Sequence, residues 1–290
     1  MKKGKFVNEW ILTFPSLSWL LLFFLIPTAI IFAYAFKPSD IYGGVAPGWT
    51  LSTLQALADS DYYLLIWRTF WLSILTTVIC LALSLPIGFH LVTISKKMRS
   101  FLLLLIVVPF WTSFLIRIFA WKTVLHPEGM LKRLLESLHL IDSQTTLLYN
   151  SGSVLLVMVY AYLPFAVFPI YAAASKFNFQ LIEAALDLGA SRMQAFFKVF
   201  IPSIMKGILT AMVMVFIPTV GAYVIPDLVG GTGSEMIGNK IAQKTFAERN
   251  LPQASALSAL LAFSILIPLM IAAWLPHRAR KIEAEARNRE

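Results

Sequence analysis

Six long apolar stretches constrain this chain more than any other feature it has. They cover residues 11–36, 69–95, 100–121, 151–175, 207–226 and 251–276. A helix needs about 20 apolar residues to cross hydrocarbon, and a helix satisfies its own backbone polar groups where no water can. The pattern therefore predicts an all-α polytopic membrane protein with six transmembrane helices in one domain. Only the third stretch is interrupted by a charge, Arg117. Arg117 lies 18 residues beyond Arg99, about 27 Å along a straight helix, so its head is expected to snorkel into the opposite headgroup layer.

Composition enters the same way. Of 290 residues, 58% are hydrophobic and 13% charged, where a soluble domain has about a quarter charged. A water-soluble globule and a disordered chain are both excluded. The single cysteine, Cys80, excludes an intrachain disulfide framework and a thiolate metal site.

The net charge of +9 reads as a topology signal. Fifteen of the 24 Lys and Arg fall at the amino end (Lys2, Lys3, Lys5), in the second connection (Lys96, Lys97, Arg99), in the fourth (Lys176, Arg192, Lys198, Lys206) and in the carboxyl tail (Arg278, Arg280, Lys281, Arg287, Arg289). All four lie on one side of a six-span chain, so both termini are expected in the cytoplasm. Nucleic acid is not an expected partner; membrane lipid is. The first apolar run is nearly twice the length of a signal-peptide core, so it is read as an anchor despite a small-residue Ala33-Tyr34-Ala35 site. Eleven of the 15 prolines fall inside the apolar stretches. Kinked helices around a cavity that changes shape account for such a load.

The fourth connection, 176–206, is patterned rather than merely polar. Residues 181–188 read as a short helix rich in good formers, Ala184 and Ala185 among them. Gly189 stands where a helix end turns left-handed. Ser191 opens a capping box with Gln194 and starts a second helix whose apolar face is Met193, Phe196, Phe197 and Phe200. A helix–glycine–helix tip with an acid and small residues at its bend fits a groove on another protein better than a bilayer surface.

Glu183-Ala184-Ala185, three residues, Gly189, nine residues, then Val199-Phe200-Ile201-Pro202 resembles the EAA loop of ABC importer membrane subunits. Val for Ile and Ile for Leu are the only departures, and both keep shape and polarity. The resemblance extends from about residue 64 to 276. It implies the type I importer permease fold, with the first span as an extra helix, and a loop that inserts into a cleft of an ATP-hydrolysing subunit. Glu183, Ala184, Ala185, Asp187, Gly189, Ala190 and Ser191 would form that coupling surface. Glu183 would pair with basic groups of the ATPase, and Gly189 would permit the turn.

Two further stretches resemble the B-type permease of the spermidine/putrescine branch: Val108-Pro109-Phe110-Trp111-Thr112-Ser113-Phe114-Leu115-Ile116-Arg117-Ile118, and Asp227-Leu228-Val229-Gly230-Gly231 followed by Ile237-Gly238-Asn239. The resemblance implies as partners a second, homologous permease, an ABC ATPase dimer and an extracytoplasmic polyamine-binding protein, in a bacterial inner membrane. A polyamine route needs π-rich or anionic walls. Trp111, Tyr160, Tyr162, Tyr223 and Asp227 are the candidates; the aromatics are equally suited to interfacial belts, and Asp227 to capping a helix. His90 is read as a headgroup contact.

No apolar stretch holds an Asp, Glu or Lys, which speaks against a proton- or sodium-driven carrier. Residues 233–240 superficially resemble a phosphate loop, but Asn239 separates Gly238 from Lys240 and no Ser or Thr follows. No cofactor is expected on this chain; ATP and Mg belong to the partner ATPase. An importer of another organic cation or small organic solute is the alternative, and a membrane-embedded lipid enzyme the alternative from another class. The latter needs a cluster of catalytic groups at one bilayer face, and none is evident. Residues 130–140 carry Leu131, Leu134, Leu135 and Leu138 at helical spacing, predicting an amphipathic outer helix. A second outer helix is expected over 236–248.

Overall fold

The structure is a computed structural model that describes residues 13–266 apart from 41, 59 and 143. The basic amino end, the carboxyl tail and the outermost residues of the first and last apolar stretches lie outside the described residues. Two compact units form, residues 1–63 with 240–290, and residues 64–239.

In the first unit, α1 runs from Thr13 to Tyr34, with a widened π turn at Leu21–Leu25. Its side chains are almost all exposed, among them Trp19, Leu22 and Phe24, as an apolar helix facing lipid should be. Beyond it the chain turns through a single bridge between Ser39 and Val45. Ala35, Ala256 and Ala259 are buried together with Phe32, Leu54 and Leu57 at their edge.

The second unit is built on two unbroken apolar helices and two bent helix pairs. α2 is Ser60–Thr93 with Pro86 inside it. α3, Lys96–Val107, is capped by Ser95 and ends in a tight 3-10 turn, Val108–Trp111. α4 is Phe114–Val124 and α5 is Met130–Ser137. α6, Ser151–Ala174, starts on an Asn150–Ser153 capping box. α7 is Gln180–Asp187, α8 Arg192–Ser203 and α9 Met205–Val220. α10 is Val224–Val229. α11 starts at Ile237–Ala242, and α12, Leu251–Leu266, belongs to the first unit. Among the described residues, three helices are long and apolar enough to cross a membrane, or five if each bent pair is one span.

A bend corrects the straight path expected between Arg99 and Arg117. α3 and α4 meet at 94° across Thr112 and Ser113. Pro109 lies in the turn before the break and cannot donate to the helical ladder, and Thr112 is extended with φ −93°, ψ 152°. A straight 27 Å path from Arg99 to Arg117 therefore does not exist. α8 and α9 likewise meet at 74°, and the stretch read as 207–226 is two helices interrupted at Gly221.

α6 and α9 form the most extensive helix pair. Gly207 of α9 lies against Ala173 and the Pro169 carbonyl of α6, where an added Cβ would overlap Ala173. Small residues let helix backbones approach where no hydrophobic driving force separates helix from lipid. Ala166, Ile170, Ala174, Phe200, Ala211 and Val215 are fully buried along this seam. At the other end of α6, the Ser153 hydroxyl donates to the Val229 carbonyl at 2.7 Å, and the Ile237 N–H donates to Thr69 Oγ1 at 2.9 Å.

α5 forms over the leucine-spaced stretch, and its covered side is not the leucine stripe alone. Leu134 and Leu138 are more than half exposed, whereas Lys132 is buried and pairs with Glu136 at 3.5 Å. Leu131 alone of the four leucines packs against the core.

Candidate functional site

The segment between α6 and α9 builds the helical hairpin read from the sequence. α7 ends in a Schellman arrangement: the Gly189 N–H donates to the Leu186 carbonyl at 2.9 Å and the Ala190 N–H to the Ala185 carbonyl at 3.0 Å. Gly189 has φ +86°, a left-handed conformation that costs an L side chain about 1–2 kcal/mol. Ser191 and Gln194 then cap α8 reciprocally, Gln194 N–H to Ser191 Oγ at 3.2 Å and Ser191 N–H to Gln194 Oε1 at 2.9 Å.

An aromatic cluster seats this hairpin. Phe89, near the end of α2, meets Phe179 at 5.9 Å, Phe196 at 5.4 Å and Phe200 at 4.9 Å between ring centres. Phe177 meets Phe179 at 5.2 Å and Phe200 at 5.3 Å, most of these edge to face, the geometry aromatic pairs favour. Phe89, Phe177 and Phe179 were not evident from the sequence; a bulky aromatic repeated just before the hairpin was the available signal. The supposed apolar face of α8 also splits. A π turn at Phe196–Phe200 buries Phe200 and turns Phe197 outward, with Met193 exposed beside it.

The outer surface of the hairpin is consequently apolar and uncovered. Leu188 is 89% exposed, Met193 67% and Phe197 57%. Glu183 and Asp187 are exposed among them, and neither carboxylate makes a hydrogen bond or ion pair among the described residues. Ala184, Ala185 and Ala190 keep the surface low between these groups.

Residues 73–281 match the family model described as binding-protein-dependent transport system inner membrane component. The chain belongs to that family. It is an inner-membrane permease subunit, non-catalytic, that works with a binding protein. A spermidine/putrescine transport system permease protein PotB from Haemophilus influenzae is 34% identical over 91% of both chains. The PotB of Escherichia coli is 34% identical over 92% of this chain and 98% of its own, and the Escherichia coli inner membrane ABC transporter permease protein YdcU is 29% identical over 81% of this chain and 76% of its own. In fold, the permease is similar to a chain of a bacterial ABC transporter that imports alginate, with TM-score 0.76, 18% identity, and 96% and 99% of the two chains covered.

Of the five candidate pathway residues, Tyr160 and Tyr162 are half-buried, and Trp111, Tyr223 and Asp227 are exposed. Tyr160 lines a cavity of about 170 Å³ with Phe110, Arg117, Pro109 and Pro164, and its ring meets Trp121 edge to face at 5.3 Å. Tyr162, two residues on, is turned to the α6–α9 seam, its hydroxyl 3.5 Å from the Pro218 carbonyl. Trp111 is 76% exposed at the corner between α3 and α4. Tyr223 is half exposed, and its carbonyl accepts from Asn239 Nδ2 at 2.9 Å. Asp227 lies within α10 and makes no cap there; its carboxylate is exposed and unpaired among the described residues. His90 is exposed and lines a cleft of about 430 Å³ with Pro86, Leu102 and Leu105.

Proposed function

We propose that this permease passes polyamines of the spermidine/putrescine class through an inner membrane, driven by an ABC ATPase dimer docked on the α7–α8 hairpin. The substrate rests on one observation: relatives named as spermidine/putrescine permeases align over nine-tenths of the chain at 34% identity. The docking surface rests on the hairpin itself, an exposed apolar tip of Leu188, Met193 and Phe197 around an unpaired Glu183. Such a surface, rimmed by polar groups, marks a protein contact.

In this reading six spans place both termini and the hairpin in the cytoplasm. A second, homologous permease completes the pathway, and an extracytoplasmic polyamine-binding protein delivers substrate. ATP and Mg stay on the ATPase, and this chain carries no cofactor. Closure of the ATPase dimer moves the hairpin. Because Phe89, Phe177, Phe196 and Phe200 lock the hairpin to α2 and α6, that movement is passed to the spans rather than absorbed locally.

The test is uptake of radiolabelled spermidine and putrescine by cells lacking other polyamine importers, supplied with the intact transporter or its Gly189→Asp form. Uptake that needs intact Gly189 is the expected result. Absence of uptake from a fully assembled transporter would remove the polyamine assignment.

A further inference from the structure

Where α6 ends and α9 begins, the structure opens a cavity of about 590 Å³, within the size range of ligand sites. Its lining is graded. Pro169, Ala172, Ala173, Ile204 and Gly207 form the part alongside the helices. Lys176, two residues past the end of α6, and Lys206, the second residue of α9, form the mouth. No Asp or Glu lines it, and neither lysine ammonium group has a hydrogen bond or ion pair among the described residues.

The other polar groups in the lining are already committed. The Ser203 hydroxyl donates to the Val199 carbonyl at 2.6 Å and the Thr210 hydroxyl to the Lys206 carbonyl at 2.9 Å. Asn178 Oδ1 accepts from the Gln180 N–H at 3.1 Å. The charged donors left for an occupant are therefore two ammonium groups at the level where two apolar helices end. A doubly cationic mouth on an apolar slot between membrane helices suits one molecule, an anionic phospholipid. Its phosphodiester would lie between the lysines and its glycerol and acyl ends along the slot.

We propose that Lys176 and Lys206 hold the headgroup of an anionic phospholipid, of the phosphatidylglycerol or cardiolipin type, in this cavity. Phe177 and Asn178, which also line it, open the segment leading into α7, and Phe177 is packed on Phe200. The bound lipid thereby braces the seat of the hairpin.

The test uses the intact purified transporter, exchanged into detergent with equimolar phosphatidylglycerol and phosphatidylcholine, freed of excess lipid, and assayed for retained lipid by mass spectrometry. Phosphatidylglycerol is expected in excess. Each lysine near a charged headgroup contributes about fivefold in affinity, so Lys176→Gln with Lys206→Gln should cut that excess by more than about tenfold. Lys176→Arg with Lys206→Arg should keep it, as should Lys96→Gln with Lys97→Gln, a basic pair elsewhere. Equal retention of the two lipids by the unaltered transporter would overturn the proposal. So would equal loss in both glutamine pairs, which marks unspecific surface charge, or displacement of the lipid by inorganic phosphate, which marks a free-anion site. None of these readouts depends on which solute is transported.

Discussion

The Arg117 guanidinium lies 4.9 Å from the centre of the Phe110 ring, across the break that turns α4 through 94° from α3. Phe114 offers a second ring at 5.8 Å, and the Arg117 Nε is buried without a hydrogen-bond partner. A cation drawn out of water is costly unless something replaces the water, and here aromatic faces do so in part. Such contacts are worth about 0.5–2 kcal/mol as desolvation increases. Phe110→Leu should lower the thermal midpoint of the purified permease complex, and Phe110→Trp, with the better π face, should not. If both substitutions behave alike, the ring contributes packing only.

The α6–α9 seam makes a sharper demand. Any side chain at Gly207 must displace Ala173, and inserting methylenes into a packed contact costs about 1–3 kcal/mol. Gly207→Val should therefore reduce the yield of folded permease, and Ala173→Gly in the same chain should restore part of it. Lack of restoration would mean that Gly207 is needed for another reason than this contact.

The hairpin and the α3–α4 break differ in how far they are legible in the sequence. The hairpin could be read residue by residue because its determinants are local: the Gly189 turn, the Ser191–Gln194 box and the short helix between them. The break at Thr112 and Ser113 could not. Pro109 signals a kink, but a 94° bend depends on what α4 packs against, with Ile118 buried among Leu72, Val157 and Met158. The facing of α5 was left open for a related reason. Helical periodicity locates an apolar stripe without saying whether protein or lipid covers it, and here Lys132, not Leu134, turns inward. The pathway candidates were chosen by residue type; helical periodicity sets Tyr160 and Tyr162 about 200° apart but does not say what each one faces.

Cys80 offers a direct probe of the core. It is fully buried, its thiol 3.7 Å from the Val159 carbonyl, and it is the only cysteine in the chain. A thiolate-directed reagent needs both access and ionisation. The folded permease should resist maleimide at neutral pH and react stoichiometrically once unfolded. Fast labelling of the folded protein would show that the α2–α6 contact opens readily.

The turn at Gly189 separates backbone strain from surface chemistry. Nothing lies within 4 Å of the position an added Cβ would take, so Gly189→Ala adds only the left-handed penalty of about 1 kcal/mol. Gly189→Asn, which tolerates that conformation better, should retain more uptake than Gly189→Ala. Gly189→Asp should retain least, because it also places a carboxylate beside Asp187 on the docking surface. Equal uptake in all three would mean that the turn is not held in this shape during transport.

Glu183 and Phe197 test the docking surface without touching the turn. Both are exposed, so Glu183→Lys and Phe197→Asp should leave the fold within about 0.5 kcal/mol, as surface changes usually do. Removing a central aromatic anchor or reversing a paired charge at an interface costs about 2 kcal/mol or more, which is roughly thirtyfold in binding. Each variant should therefore insert and express normally yet co-purify with far less ATPase, and uptake should fall in step. Normal ATPase recovery with lost uptake would place these residues in transmission of the movement rather than in docking. Normal recovery with normal uptake would sink the hairpin as the coupling element.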